Sequence, residues 1–181
     1  MDLSLPALDL PEFAAGSVWL VGAGPGDPGL LSLLALHALR QADHVVYDAL
    51  VDPRILTLAK PGAMLDFAGK RGGKPSVKQP DISQSLIRLA REGHRVARLK
   101  GGDPLIFGRG GEEGLALARA KIPFRIVPGI SAGVGGLAYA GIPATHRHMN
   151  SAVAFVTGQA GTEAQEIDWD ALSRGAPVLV L

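Results

Sequence analysis

Residues 98–114 read RLKGGDPLIFGRGGEEG, and this stretch decides how the chain is organised. A short apolar strand, Arg95 to Lys100, runs into two glycines, an Asp-Pro pair, apolar residues and three more glycines. Two adjacent acids, Glu112 and Glu113, then open a helix. Glycine lets a backbone come close to a ligand and take positive φ. Asp103 before Pro104 is pushed to an extended or turn conformation. A loop of this kind at the carboxyl end of a strand is where an open α/β sheet binds its ligand.

Outward from this loop, strands and helices alternate. Strands are expected at 17–21, 44–48, 63–67, 95–100 and 124–127. Helices are expected at 32–42, from Asp52-Pro53, at 81–92 and at 111–120. Ser32 serves as an N-cap, Pro53 as a first helical residue, and Asp81 with Gln84 as a capping box. The Gly-rich segment 129–141 reads as a further helix. This βαβα order is that of a mostly parallel sheet with helices on both faces. The expected organisation is a flexible tail at 1–16, an N-terminal α/β domain at 17–141 and a linker at 142–150. Residues 151–181 open a second α/β domain, with strands at 152–157 and 177–181 and a helix at 169–173. Two strands and one helix are too few for a core of their own. The chain is therefore expected to stop inside that domain.

Composition narrows the function. The 181 residues are 47% hydrophobic and 19% charged, enough to bury a core, and the net charge of +1 argues against nucleic acid as a partner. There is no cysteine, so disulfides, thiolate metal sites and a Cys nucleophile are excluded. No apolar run is long enough to span a membrane, and no basic-then-apolar leader opens the chain. A cytoplasmic protein is expected.

Several familiar motifs fail on inspection. GAGPGDPG at 22–29 has Asp27 where a dinucleotide fingerprint needs glycine. Neither Gly69-Lys70 nor Lys74-Pro75 completes a phosphate loop, because Met64 and Pro75 stand at required positions. His146 and His148 lack a third ligand nearby, so no metal is expected. Ser131 in PGISAG lacks the frame of a nucleophile elbow. On spacing alone, Asp48 reads as a loop carboxylate making a local turn bond. The segment FAGKRGGKPSVKQP at 67–80 concentrates Lys70, Arg71, Lys74 and Lys78 without an acid. It is either a solvated loop or a basic flap over a polyanionic substrate.

Six segments in register carry a resemblance: VGAGPGDPGLL (21–31), ADHVVYDALV (42–51), GKRGGKP (69–75), RLKGGDPLIFGRGGEE (98–113), VPGISAG (127–133) and AGIPATHR (140–147). Together they resemble the tetrapyrrole (corrin/porphyrin) methylase family. The resemblance implies that fold, S-adenosyl-L-methionine as methyl donor with S-adenosyl-L-homocysteine as its product, and uroporphyrinogen III as acceptor. It implies methylation at C2 and C7, giving precorrin-2 for cobalamin or sirohaem synthesis, and a homodimer. By position, Pro25, Gly101, Gly102, Asp103, Ile106, Ser131 and Ala132 are implied cofactor contacts. Asp48 and Lys70 match acid–base positions, in place of the turn-bond reading of Asp48. Arg71, Lys74, Arg109 and Arg147 are the implied substrate cations. There are departures: Ser131 stands where the family usually has Thr, Ala49 where some members have Arg, and His148-Met149 where a polar residue is more usual. Family members also run on past Leu181, into a further cofactor contact. The 181-residue chain is accordingly expected to be inactive by itself and to self-associate through its last strand. Another precorrin methylase, an RNA methylase of the same fold, and a non-catalytic fragment are the alternatives.

Overall fold

In the computed structural model the chain is described over residues 8–69, 79–148, 150, 152–157, 167–175 and 178–180, with backbone alone at 79, 80, 175 and 178–180. It forms two units, Met1–Gly129 and Ile130–Leu181.

The first unit is an α/β layer structure. Its elements are β1 (Val18–Gly22), α1 (Leu33–Gln41), β2 (His44–Tyr47), α2 (Pro53–Leu56), β3 (Met64–Phe67), α3 (Gln79–Arg91), β4 (Val96–Lys100), α4 (Gly110–Arg119) and β5 (Phe124–Val127). All strand pairs are parallel and the order is β3-β2-β4-β1-β5. The connections from β1 and β2 cross the sheet in one direction, and those from β3 and β4 in the other. Because such crossovers are right-handed, they leave the sheet on opposite faces. The cores follow that rule. Trp19, Val21, Val45, Ala97 and Leu99 pack with Ala35, Ala38 and Leu39 of α1 and Ile55 of α2. Val18, Leu20, Val46 and Val96 pack with Ile82, Leu86 and Leu89 of α3 and Leu117 of α4. Alternate strand residues supply the two cores, as the two-residue period of a strand dictates.

Local signals set most boundaries. The Ser32 hydroxyl accepts from Ala35 N at 3.1 Å, capping α1. Asp52 caps α2, with Pro53 first in the helix. Two expectations need correction. Helix α3 starts at Gln79, so Asp81 lies in its first turn and is not its cap. Pro80 extends the helix backward because the first-turn N–H groups have no helical partner to lose. Nor are residues 8–16 a free tail. Phe13 is fully buried and stacks on Trp19 at 4.5 Å, and its carbonyl accepts from Arg95 Nε at 2.8 Å. Acidic neighbours mark the segment as polar, yet one aromatic side chain buried against the core is enough to anchor it.

The sheet is complete at β5, and the division into units falls after Gly129. The second unit holds α5 (Ala132–Tyr139), β6 (Ala154–Val156), α6 (Trp169–Gly175) and β7 (Val178–Val180). Asp168 caps α6 through Ala171 N at 2.8 Å. β6 and β7 pair in parallel, Phe155 opposite Leu179. Among the described residues no helix is long and apolar enough to cross a membrane.

At the carboxyl edge of the sheet three loop backbones touch. A Cβ on Gly129 would lie 2.2 Å from Gly102 O, and one on Gly22 would lie 2.5 Å from Gly129 Cα. Gly129→Ala is therefore expected to destabilise the protein by about 3 kcal/mol or more, at the upper end for overpacking. Gly111, in α4, has no atom within 4 Å of such a Cβ. Gly111→Ala is expected to stabilise by about 0.5–1 kcal/mol. Urea denaturation of the two variants checks the opposite signs.

Candidate functional site

The connection out of β4 leaves toward the α4 face, while those out of its neighbours β1 and β2 leave toward the α1 face. Loops that part in this way open a crevice at the strands' carboxyl ends, the usual ligand position in such sheets. Four loops border it within the first unit: 22–29, 48–52, 101–109 and 128–129.

The β1 and β4 loops are fastened to each other. Gly24 N donates to Gly102 O at 3.1 Å and Gly102 N to Gly24 O at 2.7 Å. Both glycines have positive φ, 76° and 65°. Asp103 locks the same turn. Its Oδ1 accepts from Leu105 N at 2.8 Å and its Oδ2 from Gly129 N at 3.0 Å. Gly101 has a different reason to lack a side chain, since a Cβ there would meet Leu50 Cβ at 2.7 Å. Beyond the turn, Phe107 and Arg109 hold φ of 51° and 57°, which side chains rarely adopt. Leu105, Ile106 and Phe107 are largely exposed there, and Leu50 is 80% exposed. Strained backbone with exposed apolar side chains at a sheet's carboxyl edge is a ligand-binding surface in form.

Behind this edge lies a buried run of charges. Arg98 and Lys100 are two apart on β4 and share the α4 face, where Glu113 is fully buried. Arg98 Nε donates to Glu113 Oε1 at 3.1 Å, and Lys100 Nζ donates to both Glu113 oxygens at 3.1 and 3.2 Å. Arg98 also donates to Leu99 O at 3.1 Å, and its Nη2 stands 3.6 Å from Asp48 Oδ2. Asp48 follows β2, and its other oxygen accepts from Leu50 N at 3.1 Å. The local turn bond read from spacing thus exists alongside an ion pair. Burial, then the adjacent Arg98 cation, push the Lys100 ammonium's pKa down against the opposing pull of Glu113.

The other expected residues are distributed as follows. Pro25 lies in the β1 loop, whose Asp27 caps a 3-10 turn at Pro28–Leu30. Arg109 makes a two-pronged pair with Glu112, at 2.8 and 2.7 Å, which raises its own pKa and lowers that of Glu112. Ser131, Ala132 and Arg147 belong to the second unit. Ser131 is the N-cap of α5 and is buried, Ala132 is its first residue, and Arg147 is exposed. Lys70, Arg71, Lys74 and Lys78 lie outside the described residues. His146 and His148 have ring centroids 5.9 Å apart. Among the described residues no three His, Asp or Glu side chains are grouped to hold an ion.

Sequence reasoning missed Lys100 and Glu113 as parts of this edge. One signal was present. A central parallel strand is buried on both faces and normally apolar throughout, yet β4 carries cations at alternate positions, 98 and 100.

A family model described as Tetrapyrrole (Corrin/Porphyrin) Methylases matches residues 17–181. The chain belongs to that family. It is 64% identical over 174 residues to a Sinorhizobium uroporphyrinogen-III C-methyltransferase, covering 95% of this chain and 62% of the relative. It is 54% identical to siroheme synthase 1 of Yersinia enterocolitica, covering 92% of this chain and 35% of that one. The chain thus spans less than two thirds of the length of either. The native crystal form of the Thermus thermophilus uroporphyrin III C-methyl transferase superposes with a TM-score of 0.77 at 44% identity, over 91% of this chain and 69% of that one. The same enzyme complexed with S-adenyl homocysteine gives 0.76.

The two backbone bonds to Asp103 hold the β4 turn. Asp103→Ala is expected to cost about 1–3 kcal/mol, the net worth of two hydrogen bonds at about 0.5–1.5 kcal/mol each. Amide hydrogen exchange at Leu105 and Gly129 should then quicken, while that in β2 stays as in the parent. Unchanged exchange at both amides would show that the turn holds without the carboxylate.

Proposed function

We propose that the protein methylates uroporphyrinogen III at C2 and C7 with S-adenosyl-L-methionine, giving precorrin-2 and S-adenosyl-L-homocysteine. The observation that carries this reading is the 64% identity, over 95% of the chain, to a uroporphyrinogen-III C-methyltransferase. A structural relative complexed with S-adenyl homocysteine supports the cofactor. Siroheme synthases among the relatives support sirohaem as one destination of the product, with cobalamin the other.

The chemistry suits the residues. A sulfonium methyl is already electrophilic and requires neither a metal nor a Cys nucleophile. A pyrrole carbon attacks it in line, and the protein's work is to hold the reactants in that geometry. Within the reading, the β4 turn at Gly101, Gly102 and Asp103 and the nearby Pro25 and Ile106 receive the cofactor; Ser131 and Ala132 are given the same role by the family resemblance alone. The methylated ring is cationic and loses a proton from elsewhere on the macrocycle, since the attacked carbon has become quaternary. Asp48, partly exposed and held by Leu50 N and Arg98, is the proposed base, with Lys70 as its acid–base partner. Arg71, Lys74, Arg109 and Arg147 are the proposed partners of the substrate carboxylates. Residues 17–141 as an N-terminal domain, 142–150 as a linker and 151–181 as the opening of a second domain belong to the same proposal. So do a cytoplasmic location, a homodimer, and neither nucleic acid nor membrane as partner.

The test is methyl transfer by the intact protein to uroporphyrinogen III, followed by product mass and absorbance. Transfer only to an already methylated ring would make the protein a later-acting methylase of the same family. No transfer to any tetrapyrrole would refute the reading. Asp48→Asn is expected to lower turnover by about a hundredfold or more, as for loss of a general base. Its calorimetric affinity for S-adenosyl-L-methionine should stay close to the parent's. Equal losses in both would make Asp48 a structural residue.

A further inference from the structure

The run Lys100–Glu113–Arg98–Asp48 crosses from the buried α4 face to the edge of the crevice. Only its last member reaches solvent appreciably, with a side chain 23% exposed against 0% for Glu113. Glu113 grips both cations, and of these two Arg98 is the one that touches both carboxylates. We propose that Lys100 and Glu113 are positioning residues for Asp48: through Arg98 they orient its carboxylate and set the positive charge that it faces.

Charge counting makes the role specific. Two cations and one carboxylate stand behind Asp48, a net single positive charge from these three groups. Charges nearby include Arg109 and Glu112 at the start of α4, paired with each other and more than half exposed. Arg109 feels Glu113, and Glu112 feels Lys100. Helix α3 packs on the same face through Ile82 and Leu86, while its Asp81, Arg88 and Arg91 are exposed. Neutralising Lys100 removes the net positive charge, and neutralising Glu113 as well restores it. The lowered pKa of Lys100 agrees with a dry cluster in which each charge is felt strongly. The catalytic meaning rests on the reading of Asp48 as the base. The charge coupling does not.

The experiment titrates Asp48 by NMR in the intact protein labelled with carboxyl-¹³C aspartate, the signal being assigned by its loss in Asp48→Asn. Lys100→Met should raise the Asp48 midpoint by about one pH unit, the size a lost neighbouring charge produces. The double variant Lys100→Met with Glu113→Gln should return it to the parent value. The acid limb of the pH–turnover profile should move in the same directions. A midpoint unmoved in Lys100→Met, or a double variant that titrates like Lys100→Met, would overturn the proposal. If Lys100→Met does not fold, Glu113→Gln is read alone against the parent. It adds one net positive charge, so a lowered Asp48 midpoint supports the proposal and an unmoved or raised one overturns it. The shift without any methyl transfer by the parent would sink the methylase reading alone. Transfer by the parent with an unmoved Asp48 would sink this inference alone.

Discussion

Close approach of three backbones at Gly22, Gly102 and Gly129 is the constraint on which the rest of the crevice depends. The loops after β1, β4 and β5 can meet only because none of these residues carries a side chain. Two reciprocal hydrogen bonds between Gly24 and Gly102 and the Asp103 clasp on Gly129 then hold the loops together. A loop free to move would lose ligand affinity to ordering entropy. Here much of that ordering is already complete in the folded chain. The exposed, strained segment 105–109 is the part of the edge left to face a ligand.

Beneath the edge, an acid and two cations occupy the place of an apolar core. Removing such groups from water is costly, and a buried ion cluster is often no more stable than hydrophobic side chains of the same volume. Glu113 is fully buried, with Arg98 and Lys100 nearly so. Partial neutralisation would leave an unpaired charge there, which is worse than either extreme. The cluster therefore behaves as a unit. Its outlet is Asp48, which links the interior charge balance to the crevice without itself leaving the surface.

Membership of the tetrapyrrole methylases and the parallel α/β fold rest on agreement along the whole described chain, from 17 onward. The N-terminal segment adds something local. Phe13 on Trp19, with Arg95 bonded to the Phe13 carbonyl, ties the entry of the chain to the sheet's opposite end from the crevice. Ligand-edge loops can then vary in shape without disturbing how the chain enters its core.

By itself the sequence determined the order of elements, most helix caps and the place of the Gly-rich loops at the sheet's carboxyl edge. Each of these is written in neighbouring residues: Ser32 three before Ala35, Asp52 before Pro53, glycines after an apolar strand. Six motifs in register also carried the family resemblance. The sequence missed what depends on residues far apart in the chain. Phe13 looked like part of a polar tail because the ring it stacks on is contributed by β1. Asp81 looked like a cap because nothing local shows a helix already running at Gln79. Asp48 read as a turn residue, and its turn bond is real, but Arg98 comes to it from fifty residues away, through the pairing of β2 with β4. Glu113 reaches Arg98 and Lys100 only because the right-handed crossover lays α4 on the face to which both cations point. Local rules act through backbone hydrogen bonds and side chains a few residues apart. The charge balance of the crevice was decided by strand order, which alone determines which distant side chains share one dry space.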